Sequence, residues 1–129
     1  MTADATPRIF VVDDDVFVAH AVTLALRYAG YAVSTFTDAL SAAQQARLSA
    51  PDVVITDYSM PQFNGLVFAA WLQENCPACG VVILTGQAEA VEEQAFAGLR
   101  FTLLEKPVSS RILIEVVQRQ GQLCANRKS

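Results

Sequence analysis

The feature that most limits what this chain can fold into is a fivefold alternation of short apolar runs with longer stretches of helical spacing. The runs are Ile9-Val12, Ala32-Phe36, Val53-Thr56, Val81-Leu84 and Phe101-Leu104. Runs this short, with little polar alternation, suit strands buried on both faces. A first helix is predicted from Val16 to Tyr28, closed by Gly30, with Phe17, Ala21, Leu24 and Tyr28 on its apolar face and His20, Thr23 and Arg27 on the opposite, solvent-facing stripe. A second runs from an Asp38 N-cap to about Leu48; a third follows Gly65, carries Leu66, Ala69, Ala70 and Leu72, and ends at Asn75. Pro51 and Pro77 mark the breaks after them. A fourth is predicted between Ala88 and Ala97, stopped by Gly98. A fifth runs from Ser110 to about Leu123 on Ile112, Leu113, Val116 and Val117, leaving a frayed tail over Ala125-Ser129.

Strands and helices in strict alternation, joined by right-handed crossovers, make one parallel sheet covered on both faces. The expected fold is therefore an α/β, flavodoxin-like, doubly wound (βα)5 domain with five strands in the order 2-1-3-4-5. A chain of 129 residues fits one such domain, with a core over about 8–123 and short flexible ends. The net charge of -4, with scattered Lys and Arg, argues against nucleic acid or anionic lipid as direct partner. The N-terminus lacks the pattern of a signal peptide and no apolar run approaches bilayer length, so a cytoplasmic location is expected. Three cysteines, Cys76, Cys79 and Cys124, read as reduced thiols.

In such sheets functional groups gather at the carboxyl ends of the strands. There this sequence places Asp13-Asp14-Asp15, Asp57, Thr85 and Glu105-Lys106. Carboxylates converging without counter-charge repel one another, so their joint presence predicts a cation, and oxygen ligands favour Mg2+. Lys106 and the Thr85 hydroxyl are the groups needed to hold phosphoryl oxygens, by charge and by hydrogen bond. Phosphoryl transfer to a carboxylate, giving an aspartyl phosphate, is the chemistry these residues suit.

From about Arg8 to Leu123 the sequence resembles the response-regulator receiver family of two-component signal transduction. Ile9-Phe10-Val11-Val12-Asp13-Asp14 resembles its apolar strand and acidic pair, and Asp57-Tyr58-Ser59-Met60-Pro61-Gln62-Phe63-Asn64-Gly65 its phosphoacceptor loop. Ile83-Leu84-Thr85-Gly86 and Glu105-Lys106-Pro107 resemble its hydroxyl and Lys-Pro positions. The resemblance implies Asp57 as phosphoacceptor and Asp14 and Asp57 as direct Mg2+ ligands. Asp13 then acts largely through water, the Ser59 carbonyl is a further ligand, and Thr85 and Lys106 contact the phosphoryl. It implies a cis bond at Lys106-Pro107 and no enzymatic activity beyond self-phosphorylation and self-dephosphorylation. It also implies a histidine kinase or phosphotransfer protein as donor. A downstream protein target would bind through the fourth helix, fifth strand and fifth helix, and there is room for a homodimer. Leu103 stands where the family commonly has an aromatic switch residue, with Phe101 two residues earlier as a partial substitute. Ser59 and Gln87 occupy the positions that modulate hydrolysis. Whether the protein stands alone or is part of a longer one is left open.

Other signals have plainer readings. Asp38 and Asp52 read as caps or solvated side chains, and Asp15 as a helix cap. Cys76-Pro77-Ala78-Cys79 follows a helix and precedes a strand, the wrong context for a redox pair, and no second pair completes a zinc site. Trp71 reads as structural and the acidic run Glu89, Glu92 and Glu93 as a solvated face. A rival reading is a phosphatase like the haloacid dehalogenases, with Asp13 as nucleophile in Asp13-Asp14-Asp15. It sits poorly with Phe17 and with the lack of an acidic pair after Lys106, and leaves the Asp57 loop unexplained. A third reading keeps the fold as a phosphate-independent scaffold.

Overall fold

A computed structural model of the chain describes residues 6–61, 64–86 and 98–128. Its elements are β1 (Arg8–Val12), α1 (Val16–Tyr28), β2 (Ala32–Phe36), α2 (Ala39–Leu48), β3 (Val53–Asp57), α3 (Gly65–Asn75), β4 (Gly80–Thr85), β5 (Thr102–Glu105) and α4 (Ser110–Lys128). The strands form one sheet in the order β2-β1-β3-β4-β5, every neighbouring pair parallel. This is the expected flavodoxin-like topology. The predicted helix over Ala88–Ala97 lies outside the described residues.

Side chains alternate across the sheet and build two cores. On one face Ile9, Val11, Ile55 and Leu84 pack with Leu26 of α1 and Leu113 of α4. On the other, Phe10, Val54 and Ile83 pack with Ala42 of α2 and with Phe68 and Leu72 of α3. β3 and β4 are buried along their whole length, which is why their sequences show no polar alternation. Asp15, Asp38 and Asn64 cap α1, α2 and α3 by accepting from backbone N–H groups of the first turn.

Two expectations are corrected. The face that α1 buries carries Ala19, Val22, Thr23 and Leu26, whereas Phe17 and Tyr28 are 87% and 96% exposed. The helix is apolar nearly all round, so its sequence holds two stripes of helical period, and the sheet takes the one whose smaller side chains allow closer approach. Thr23 is therefore buried, its hydroxyl 2.8 Å from that of Thr35, while His20 is exposed as expected.

The second correction concerns the tail, which continues α4 through Lys128. Asp52 explains this: it is no solvated cap but accepts from the Arg8 backbone N–H and from Lys128 Nζ, each at 2.7 Å, with Cys124 Sγ at 3.7 Å. Arg127 donates to the Ala78 carbonyl at 3.3 Å, and Cys124 is buried beneath. All three cysteines are free and buried, and burial raises all three thiol pKa values, in keeping with a packing role.

Burial works against the Asp52 carboxylate, but the bonds from Lys128 and the Arg8 N–H outweigh it and hold its pKa below the ordinary value. A depressed folded-state pKa contributes stability that is present above the unfolded value and lost as pH falls through the folded one. Asp52→Asn is expected to cost about 1–2 kcal/mol near neutral pH, the exposed half of the pair with Lys128 adding little. The variant should also show a shallower stability loss below about pH 4, read by urea unfolding across pH.

Candidate functional site

The site is assembled by register. β1 lies beside β3 with Val12 opposite Thr56, so the residues that follow, Asp13 and Asp57, end adjacent strands side by side. Asp13 is buried, its backbone N–H bonded to the Phe36 carbonyl at 3.1 Å. Its Oδ1 accepts from the Asp15 N–H at 2.9 Å, an Asx turn that fixes the carboxylate while the chain swings into α1. Asp14 is exposed beside it, and Asp57 is buried at the end of β3.

The segment after β3 is held by backbone contacts. The Tyr58 N–H donates to the Leu84 carbonyl at 2.8 Å and the Gly65 N–H to the Tyr58 carbonyl at 2.7 Å. That second contact leaves no room for a side chain, since a Cβ on Gly65 would stand 2.7 Å from the Asp57 carbonyl oxygen. Ser59 is exposed on this segment, and Gln62 and Phe63 lie outside the described residues. Thr85 ends β4, buried, and its carbonyl accepts from the Lys106 N–H at 2.7 Å. The Lys106-Pro107 peptide is cis. Lys106 Nζ reaches Asp57 Oδ1 at 2.7 Å and Asp13 Oδ2 at 3.4 Å. Glu105, register partner of Thr85, is exposed.

One carboxylate oxygen each from Asp13, Asp14 and Asp57 lies within 4.8 Å of the others, a spacing that suits a single hard cation. Burial first, and then the Asp57 charge, push the Asp13 pKa up; the Asp15 N–H and Lys106 oppose this without cancelling it. Burial alone would lower the Lys106 pKa, but the hydrogen bond to Asp57 and the charges of Asp13 and Asp57 raise it, so the ammonium is firmly held. Three carboxylates against one ammonium leave an excess of negative charge that a divalent cation would neutralise. The sequence reading brought Asp13, Asp14, Asp57, Thr85 and Lys106 to one edge, and the structure places them there. It missed the Asp13–Asp15 turn and the Asn64 cap, both of which an Asx-turn or N-cap reading of those residues would have found.

A flavodoxin-like sheet with an acidic cluster and a lysine at its carboxyl edge defines a class, and comparison with known proteins narrows it. The chain matches the response regulator receiver domain over residues 9–118 and belongs to that family. It is therefore the receiver domain of a two-component response regulator. It is 40% identical over 98 residues to the probable transcriptional regulatory protein TcrX of Mycobacterium tuberculosis, covering 75% of this chain and 41% of that protein. It is 31% identical over 121 residues to protein Rrf1 of Nitratidesulfovibrio vulgaris, covering 87% and 80%. The structure of Vibrio cholerae chemotaxis protein CheY4 superposes with a TM-score of 0.80 at 26% identity, covering 88% of this chain and 98% of that one. The chain spans about half the length or less of most of the curated relatives it matches, such as TcrX at 41% and the dicarboxylate-transport regulator DctD of Pseudomonas aeruginosa at 25%. No helix among the described residues is long and apolar enough to cross a membrane.

The close approach at Gly65 and the open space at Gly86, where a Cβ meets nothing within 4 Å, give a paired expectation. Gly65→Ala should lower stability by about 1–3 kcal/mol through overpacking, and Gly86→Ala should stay within about 0.5 kcal/mol of the parent in thermal unfolding.

Proposed function

We propose that the chain accepts a phosphoryl group on Asp57 from a histidine kinase or phosphotransfer protein and thereby switches protein–protein contacts. The observation that carries this reading is the meeting of three carboxylates with the Lys106 ammonium at 2.7 Å from Asp57. An Asp57 oxygen attacks the donor phosphorus, forming the acyl phosphate O–P bond as the P–N bond of a phosphohistidine breaks, and the imidazole leaves with the electron pair. Lys106 exchanges its bond to the carboxylate for one to a phosphoryl oxygen, and the Thr85 hydroxyl donates to another. Asp13, Asp14, Asp57 and the Ser59 backbone carbonyl would hold Mg2+, which supplies charge neutralisation to the phosphoryl oxygens. Mg2+ at an acidic pocket is characteristic of the family, and the buried Asp13 charge is the kind of group a divalent cation relieves.

The reading confines turnover to the chain's own phosphorylation and dephosphorylation; membership of the receiver family leaves the Asp13 phosphatase alternative without support. Downstream contact is assigned to the face that includes β5 and α4, where phosphorylation adds about two negative charges to the adjoining site. Leu103 and Phe101 both pack half-buried against the core beneath α2 and α3, so any coupling through them proceeds by aliphatic and ring packing without a phenolic hydroxyl.

Incubation with Mg2+ and acetyl phosphate, borohydride trapping and peptide mass spectrometry should place the modification on Asp57, with none in Asp57→Asn and strongly reduced yield in Lys106→Ala. Modification at Asp13 would point to the phosphatase, and none with any donor to a scaffold.

Thermal unfolding supplies an independent check. Mg2+ at tenfold its dissociation constant should stabilise the parent by about 1.4 kcal/mol, reversed by chelator. Asp13→Asn should begin at least as stable as the parent without cation, because the burial cost of the charge is gone, and gain less from Mg2+.

A further inference from the structure

A groove separates α2 from α3 on the face of the sheet opposite α1 and α4, and it exists because α2 is built from small residues. Ala39, Ala42 and Ala46 meet the core, and half-buried Ala43 beside them is too short to fill the space toward α3. What remains is an apolar cavity of about 340 Å3, lined at its base by Phe68 and along its walls by Leu40, Val67 and Trp71. Exposed aliphatic side chains gathered around one cavity mark an interaction surface, whereas scattered ones are ordinary.

The groove changes character along its length. Leu40 and Val67, each 53% exposed, stand in the first turns of their helices, and Arg47 and Trp71 stand one to two turns further on. Because α2 and α3 follow parallel strands, they run the same way and these ends coincide. The Arg47 guanidinium lies 5.6 Å over the centre of the Trp71 ring, which holds it at the rim. Among the described residues no acceptor takes a hydrogen bond from it, and Glu74, one turn beyond Trp71, forms no ion pair with it. Its planar fork of donors therefore suits a carboxylate brought from outside. Net charge points the same way. Arg47 is the sole charged residue among those described that line the groove, in a chain whose net charge is -4, so this is a basic spot on an acidic protein.

We propose that the groove between α2 and α3 docks an acidic amphipathic helix of a protein partner. Leu40 and Arg47 are seven residues apart, about 10 Å of helix, so the partner's aliphatic anchors fall at positions i and i+3 and its carboxylate at i+7 or, in the reverse direction, i-4. The inference does not depend on the phosphorylation reading.

Trp71 is the only tryptophan in the chain, so its emission reports on the groove directly. The probes are capped helical peptides without aromatic residues, carrying two leucines at that spacing and a glutamate on the same face, before the leucines in one and after them in the other. One of the two should shift Trp71 emission saturably. Replacing its glutamate by glutamine should weaken binding about fivefold, the worth of one charge pair at an exposed rim, and lysine should weaken it further. Arg47→Glu, at an exposed position and so near parental thermal stability, should reverse the order and prefer the lysine peptide. Ala43→Leu, which fills the cavity, should abolish binding. No shift with either peptide overturns the proposal, as does equal binding of the acidic, neutral and basic forms. Emission that changes with protein concentration alone overturns it in favour of a second copy of the chain, and 3-phenylpropionate binding as tightly as the peptide overturns it in favour of a small aromatic acid.

Discussion

The register of β1 against β3 is the constraint on which the rest depends. Parallel pairing of Val12 with Thr56 delivers Asp13 and Asp57 to the same edge of the sheet, and β4 and β5 then bring Thr85 and Lys106 to it. A slip of one residue would turn every apolar side chain of β1 to the wrong face. The two cores therefore guard the carboxylate geometry: burial of Ile9 and Val11 on one side and Phe10 and Val12 on the other admits only one register. The crowded acidic edge is tolerated because Lys106 is held there, and the packing of the sheet offsets what the charges cost.

Much of this was legible in the sequence for identifiable reasons. Strands buried on both faces announce themselves as unbroken apolar runs, and Gly30, Asp38 and Asp15 mark helix ends by local chemistry. The candidate site was legible because each residue that contributes a side chain to it lies within two positions of the end of such a run. The buried face of α1 was not, because Phe17, Leu24 and Tyr28 compete with Ala19, Val22 and Leu26 at equal periodicity, and only the sheet decides between them. The end of α4 was hidden for a different reason. Lys128 pairs with Asp52, 76 residues away, and no local pattern reports a contact of that separation.

The two edges of the sheet thus have opposite electrostatic characters. At one, Asp13, Asp14 and Asp57 face a single Lys106; at the other, Asp52 is matched by Lys128 and a backbone donor. The acidic edge carries more negative charge than Lys106 offsets, whereas at the distal edge the Asp52 carboxylate is matched by Lys128 and the Arg8 N–H.

This division gives the molecule two titrations of opposite sign. The Asp13 pKa is raised, so mild acid removes a charge that opposes folding; the Asp52 pKa is lowered, so stronger acid removes one that favours it. The contributions enter in sequence as pH falls. Stability is therefore gained through the first step while the acidic edge has already changed its charge state, and an acidified sample that still melts normally is no evidence that this edge keeps its neutral-pH charges.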